Sequence, residues 1–436
     1  MTEKITPQMS HTVATAMTAI FTVMPTLVLF AAKGIVPALI LLTSIAAFDL
    51  WQRRPPLPQI ERRWMVPALF LAWAALSTSW AADHISSLKS LAGISGIFAG
   101  TIILALSIAS AGRSAARQIN TGLMIGFAVM CAVYLFEYAT DGLLLQIGRD
   151  ILAQGQSTLK DYRILYNSGL IILTAIAVPL VLLTWARQRV LGIGMAIGII
   201  AAAALADAAV IIVALGVGFL AFAAARLLPR AFPVAVLLVL AAVGLSLPFN
   251  TDRLPDPRIE VPTGEGLWPP VASRMLIWRA AAENIEKSPI IGLGLNASKN
   301  LYPRATRKMV KVYYDHGPLE IFVEPIPLHP HNVMLQIWLE LGGVGALLFI
   351  VLIAQGFYAI ANSDLTKNAR AAIMASATTL LFVANISFGI WQKWWLTAII
   401  LTFILAYNFC RTLTEKTENA DIGMAALHDQ AERQGR

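Results

Sequence analysis

Two of the chain's six histidines stand together in His329-Pro330-His331-Asn332, directly before a long apolar run. Imidazole is the side chain whose ordinary pKa lies nearest neutrality, so a neutral His is a natural base for taking a proton from a hydroxyl. A His beside a helix N-terminus also feels the positive end of the helix dipole, which favours the neutral ring. His331, with His329 next to it, is therefore a candidate general base; the plainer alternative is a capping histidine. Asn332, Gln336 and Glu340 follow at i+4 spacing and form one polar stripe running into the apolar segment. At 1.5 Å per residue, Glu340 lies about 13 Å along such a helix from His331. Ionisable groups placed there are costly and are functional or paired, so Gln336 and Glu340 read as structural or proton-linked.

A second group lies upstream. Ser273 is a good N-cap and Pro289 a stop signal, which predicts a helix between them. Arg274, Trp278, Ala281 and Ile285 fall on one face of it. Arg274 sits near the N-terminus, where free backbone N–H groups point outward. A guanidinium beside such groups makes a phosphate cradle; the bland reading is an arginine that snorkels to the membrane interface. Gly292-Leu293-Gly294 permits either a tight turn or close approach of the backbone to a neighbour. Arg304, Arg307, Lys308 and Lys311 form a basic run suited to acidic sugars or lipid phosphates, or simply a solvated face. Arg163, just before another apolar run, either anchors that helix end or binds a phosphate.

These residues must be held by a membrane bundle. Of 436 residues, 57% are hydrophobic and 13% charged, against about 45–50% and 25% in soluble domains. Apolar runs near 12–30, 34–50, 64–80, 91–110, 119–138, 164–184, 190–206, 208–225, 231–248, 333–360, 371–391 and 394–410 predict about twelve spanning helices. The first reads as a retained helix rather than a cleaved leader. Basic pairs recur in every second short loop: Arg53 and Arg54, Arg113 and Arg117, Arg187 and Arg189, Arg226 and Arg230, Lys367 and Arg370. By the positive-inside rule those loops and both termini are cytoplasmic. The net charge of +8 thus sets topology and implies no nucleic-acid partner. Asp207 falls at an outer turn, and Trp391, Trp394 and Trp395 read as an outer aromatic belt. Cys131 and Cys410 form no Cys/His cluster, so no metal site, disulfide or cofactor is expected.

The organisation read from this is all-α: a transmembrane region of about nine helices (1–248), a large extracytoplasmic loop with short helices carrying the chemistry (249–332), three further membrane helices (333–411), and a cytoplasmic tail (412–436) that is a short solvated helix or a disordered end.

The segment His329–Phe349, HPHNVMLQIWLELGGVGALLF, resembles the signature of the O-antigen ligase and polymerase superfamily, in which H-x-H-N opens a membrane helix continuing through E-L-G. Ser273–Asn296 resembles a second family element, an Arg, a Trp four residues on, then P-x-x-G-x-G. Tyr166-Asn167-Ser168-Gly169 resembles a third. Two positions depart from the family pattern: Asp207 and Ser168 stand where many members carry Arg, and an acid at 207 cannot bind phosphate. The resemblance implies a membrane glycosyltransferase-like bundle in the inner membrane. It would transfer a glycan from an undecaprenyl-pyrophosphate-linked donor to a sugar hydroxyl of the lipid A core or another glycan acceptor, without a metal. It implies His331 as the base with His329 and Asn332 nearby, Arg274 on the pyrophosphate, and Arg163, Arg279 or the Arg304–Lys311 run as a second cation. The alternatives are a polymerase joining lipid-linked repeat units, a polysaccharide transporter using Glu340 and Glu137 as proton relays, and a non-catalytic partner in an assembly complex.

Overall fold

Apolar segments in lipid must satisfy their own backbone groups, which favours helices. The computed structural model describes residues 8–56, 62–151, 162–258, 269–302, 308–314 and 317–434. The first five helices are α1 (His11–Phe30), α2 (Ile35–Arg53), α3 (Met65–Ser77), α4 (His84–Ala109) and α5 (Arg113–Ala139). A short α6 (Leu143–Ile151) precedes α7 (Asn167–Arg187), α8 (Arg189–Ala204), α9 (Ala209–Leu227) and α10 (Ala231–Ser246). The long loop holds α11 (Pro269–Ile285) and an antiparallel hairpin, β1 (Lys308–Tyr314) and β2 (Gly317–Val323). The chain ends with α12 (Val333–Ala361), α13 (Lys367–Ala384) and α14 (Lys393–Gln434).

Among the described residues, nine helices are long and apolar enough to cross a membrane, and α3 and α8 are shorter apolar helices. With α13, whose first turn is polar, they account for all twelve apolar runs of the sequence. The protein is thus an all-α, multi-pass membrane protein. Several starts are set by side-chain caps: Ser10 accepts from Val13 N–H, Asp83 from Ser86 N–H, Asn332 from Leu335 N–H and Thr366 from Ala369 N–H.

The bundle packs around α7, in which every residue from Gly169 to Leu180 is buried. Small residues allow close helix approach: a Cβ at Gly126 of α5 would lie 2.5 Å from the Thr22 carbonyl oxygen of α1. Polar residues inside the bundle are cross-linked. Asp49 accepts from Arg53 Nε at 2.7 Å and from Ser107 Oγ at 2.6 Å. Glu137 accepts from the N–H groups of Leu144 and Leu145 and, at 2.5 Å, from the Tyr166 hydroxyl. It caps α6, which gives this buried carboxylate an architectural role.

The structure departs from the sequence reading in three places. The run 371–391 ends as a helix at Ala384, and residues 385–392 form a connector. Two of the three tryptophans turn inward instead of joining a lipid-facing belt: Trp395 is fully buried, and Trp391 donates to Glu340. The long loop carries the β1–β2 hairpin beside the short helices expected of it; the tail, read as a short helix or a disordered end, is helical and continues α14 as far as Gln434. Asp207 lies exposed in the turn between α8 and α9, as expected.

Candidate functional site

The connector between α13 and α14 presents two successive carbonyls to the long loop. Arg274, on the first turns of α11, donates from Nε to the Ile386 carbonyl at 2.9 Å and from Nη1 to the Pro270 carbonyl at 2.7 Å. His329 Nε2 lies 3.2 Å from the Ser387 carbonyl oxygen, and His331 Nδ1 bonds to the same oxygen. The two imidazole centroids are 4.3 Å apart. A carbonyl oxygen only accepts, so each of these nitrogens carries its hydrogen. Neutral His331 is then the Nδ1–H tautomer, with the lone pair on Nε2.

Local geometry holds this arrangement. His331 has φ +54°, a left-handed backbone uncommon outside glycine, and the chain then extends into Asn332, the N-cap of α12. Trp278 donates from Nε1 to the Pro330 carbonyl at 3.0 Å, which fixes α11 to the histidine segment. Gly389 is required on the far side: a Cβ there would lie 2.8 Å from His329 Cγ.

Burial first, and then the neighbouring His331, hold the His329 pKa down from 6.5 to about 4, with the Ser387 carbonyl partly opposing both. His331 is also lowered, first by burial and then by the positive charge of Arg274, against an opposing contribution from the Ser387 carbonyl. Both rings are therefore neutral at neutral pH. Burial also lowers the Arg274 pKa from 12.5, and a group that starts so high stays charged.

The polar stripe of α12 is an architectural hub. Gln336 accepts from Ile390 N–H at 2.9 Å and donates to Glu340 Oε1 at 3.0 Å. Glu340 is fully buried and also accepts from Ser298 Oγ, the Asn296 N–H and Trp391 Nε1, each at 2.5 Å. Two residues on, α12 breaks: Gly342 has φ 68° and ψ −174°. The freed backbone groups find partners elsewhere. Leu293 and Gly294 donate to the carbonyls of Leu339 and Glu340 at 2.9 and 2.8 Å, and Gly343 and Val344 donate to Pro289 and Ile290 at 2.8 and 3.3 Å. Trp73 Nε1 covers the Leu341 carbonyl at 2.8 Å. The glycines permit the contact, since a Cβ on Gly292 would meet Gly342 N at 2.4 Å. Of the two readings open for Gly292-Leu293-Gly294, close backbone approach is the one observed.

Among the described residues, Arg279 and Arg163 have partners outside the histidine cluster. Arg279 is five residues beyond Arg274 and turns its Nη2 to the carbonyls of Asp252 and Leu254. Arg163 sits 4.6 Å from the Tyr138 ring centroid and 3.7 Å from Asp141. Arg304 and Arg307 lie outside the described residues, as does the side chain of Lys308. Lys311 of the basic run stands on β1 opposite Glu320.

Sequence reasoning missed the connector that supplies both carbonyls. Ile386–Ile390 is apolar enough to be counted into a helix, and backbone acceptors carry no side-chain signature. The available signals were Asn385 and Gly389, residue types that end helices.

Comparison with known proteins gives a family likeness. Residues 206–350 match the family model described as O-Antigen ligase. A Rickettsia conorii protein named "Putative polysaccharide ligase" is 27% identical over 356 residues, covering 80% of this chain and 81% of its own. A Rickettsia felis protein of the same name is 26% identical over 338 residues, 77% and 78% of the two chains. No solved structure matches. The matched segment contains Arg274, both histidines, Glu340 and the Gly342 break, and the relatives' likeness runs along most of the chain, so the protein is similar to the O-antigen ligases.

Proposed function

We propose that the protein is a glycosyltransferase of the inner membrane, with both termini cytoplasmic. It moves a glycan from an undecaprenyl-pyrophosphate-linked donor to a sugar hydroxyl of the lipid A core at the outer side of the bilayer. The observation that carries this reading is the shared Ser387 carbonyl, which leaves the His331 Nε2 lone pair as a base beside the Arg274 guanidinium.

The acceptor hydroxyl attacks the anomeric carbon as His331 takes its proton, forming the new glycosidic bond. The bond from that carbon to the pyrophosphate oxygen breaks, and the lipid pyrophosphate leaves with the electron pair. Arg274 stabilises the charge developing on it. Two of its N–H groups are engaged by the Ile386 and Pro270 carbonyls, which orient the guanidinium and leave other donors for phosphoryl oxygens. A pyrophosphate calls for a second cation, for which Arg163, Arg279 and the Arg304–Lys311 run are the candidates. His329, with Asn332, positions the base. The reaction proceeds in this reading without a metal.

The test is turnover by purified protein with donor and acceptor. His331→Ala lowers the rate by about 10²–10⁴-fold; wild-type turnover at equal folded protein overturns the base assignment. Arg274→Ala loses most of the rate, and Arg274→Lys recovers part, because lysine cannot bind phosphoryl oxygens bidentately. Deleting the gene and resolving surface glycolipids on a gel tests the acceptor. Bare core with accumulated lipid-linked polymer supports the ligase reading, whereas core bearing a single repeat unit marks a polymerase.

A further inference from the structure

A cavity of about 460 Å³ opens between the α3–α4 turn and the loop segment 288–301. Its size falls within the range of small-molecule sites, about 300–1,000 Å³. Trp80 forms one wall, and Ile291 and Leu293 supply apolar surface. Asp83 and Asn300, both exposed, stand at its edge with the Asn300 amide donating to Asp83 Oδ2 at 2.7 Å. Trp80 packs its ring 5.6 Å from that of Trp73, and its indole N–H has no acceptor among the described residues.

We propose that this cavity binds a sugar ring of the glycan handled at the histidine site. The proposal rests on the transfer reaction described above and adds a binding site distinct from the histidines. An indole wall, a carboxylate and a carboxamide suit a pyranose: apolar C–H faces pack on the aromatic, and hydroxyls bond to fixed acceptors and donors. The Asp83 carboxylate disfavours a phosphate headgroup, which leaves a hydroxyl-rich uncharged ligand as the fitting class. The cavity is also built into the same framework as the histidines. Asn296, on its wall, donates its backbone N–H to Glu340, and Ser298, next to the lining residue Ala297, donates to the Leu328 carbonyl at 3.3 Å, one residue before His329. The ring bound here belongs either to the acceptor or to the donor glycan.

Full-length protein in lipid nanodiscs, titrated with two oligosaccharides prepared from the host, tests this. One is the delipidated core oligosaccharide; the other is the surface glycan released from its lipid. Binding is followed by saturation-transfer NMR and calorimetry. One of the two binds; core binding assigns the site to the acceptor, and released-glycan binding assigns it to the donor. Trp80→Ala and Asn300→Ala each weaken that binding tenfold or more, and Trp80→Phe recovers part. Should Trp80→Ala fail to fold, Asn300→Ala at its exposed position decides. Unchanged affinity in Asn300→Ala and Trp80→Ala, or no binding of either saccharide, overturns the proposal. Turnover of His331→Ala tests the base assignment, and saccharide binding by Trp80→Ala and Asn300→Ala tests this site, so the two failures are read in different measurements.

Discussion

His331 is set up to be neutral where the cell works. Its pKa is lowered by burial and by the charge of Arg274, so the base form predominates at neutral pH. The acidic limb of a pH–rate profile should therefore fall below the ordinary histidine value of about 6.5. Removing the neighbouring positive charge with Arg274→Gln moves that limb to higher pH, while Arg274→Lys leaves it in place; a limb that ignores both variants contradicts the coupling. His329 makes a separate prediction about stability. Its folded pKa is about 4 against an ordinary 6.5, so between those values the unfolded chain binds the extra proton. The contribution is fully present above about pH 6.5 and is lost as pH falls through 4, a change of about 3 kcal/mol. Thermal unfolding in detergent should show this slope, and His329→Asn should flatten it.

The elements α12 and the 289–294 segment act as one unit. Gly342→Ala would place a Cβ 2.1 Å from the Ile290 carbonyl oxygen at φ 68°, and should cost about 3 kcal/mol or more, seen as lost thermal stability. Glu340→Gln sets an amide donor among four donating partners and should cost about 2–3 kcal/mol; a variant as stable as wild type would show that the four hydrogen bonds are not the purpose of the carboxylate. Much of this level was legible in sequence. The His-x-His-Asn start of α12 and the Asn332–Gln336–Glu340 stripe follow from caps and spacing, whereas α11 starts at Pro269, four residues before the cap read at Ser273, whose hydroxyl donates back to the Pro270 carbonyl instead. The break at Gly342 and the connector at 385–392 were not legible, because hydropathy reports lipid compatibility and is blind to where the backbone stops being helical. The Gly342-Gly343 pair was the one local sign.

At the scale of the whole molecule, composition and charge carried the most. Twelve apolar runs and alternating basic loops suffice to order the bundle, since each span must satisfy its own backbone and cytoplasmic loops collect arginine and lysine. The sidedness can be checked directly. With Cys131 and Cys410 buried, a single cysteine at exposed Asp207 should react with a membrane-impermeant maleimide from outside intact inner-membrane spheroplasts. One at exposed Arg189 should react only after permeabilisation. The reverse pattern would invert the topology and place the histidines in the cytoplasm. Hydropathy could not foresee the β1–β2 hairpin, or that Trp391 and Trp395 serve the interior, because a tryptophan at a helix end suits either the lipid boundary or the core.

The unwound turn of α12 has a consequence for biogenesis. A helix entering the bilayer normally brings all its hydrogen-bond partners with it. This one leaves the carbonyls of Leu339 and Glu340 and the amides of Gly343 and Val344 waiting for a segment that precedes it in the chain, between α11 and the β1–β2 hairpin. Synthesis order helps: residues 289–294 are made before α12 leaves the ribosome. Closure of residues 289–294 on α12 therefore completes the hydrogen bonding of the span and the framework of the histidine site in one step.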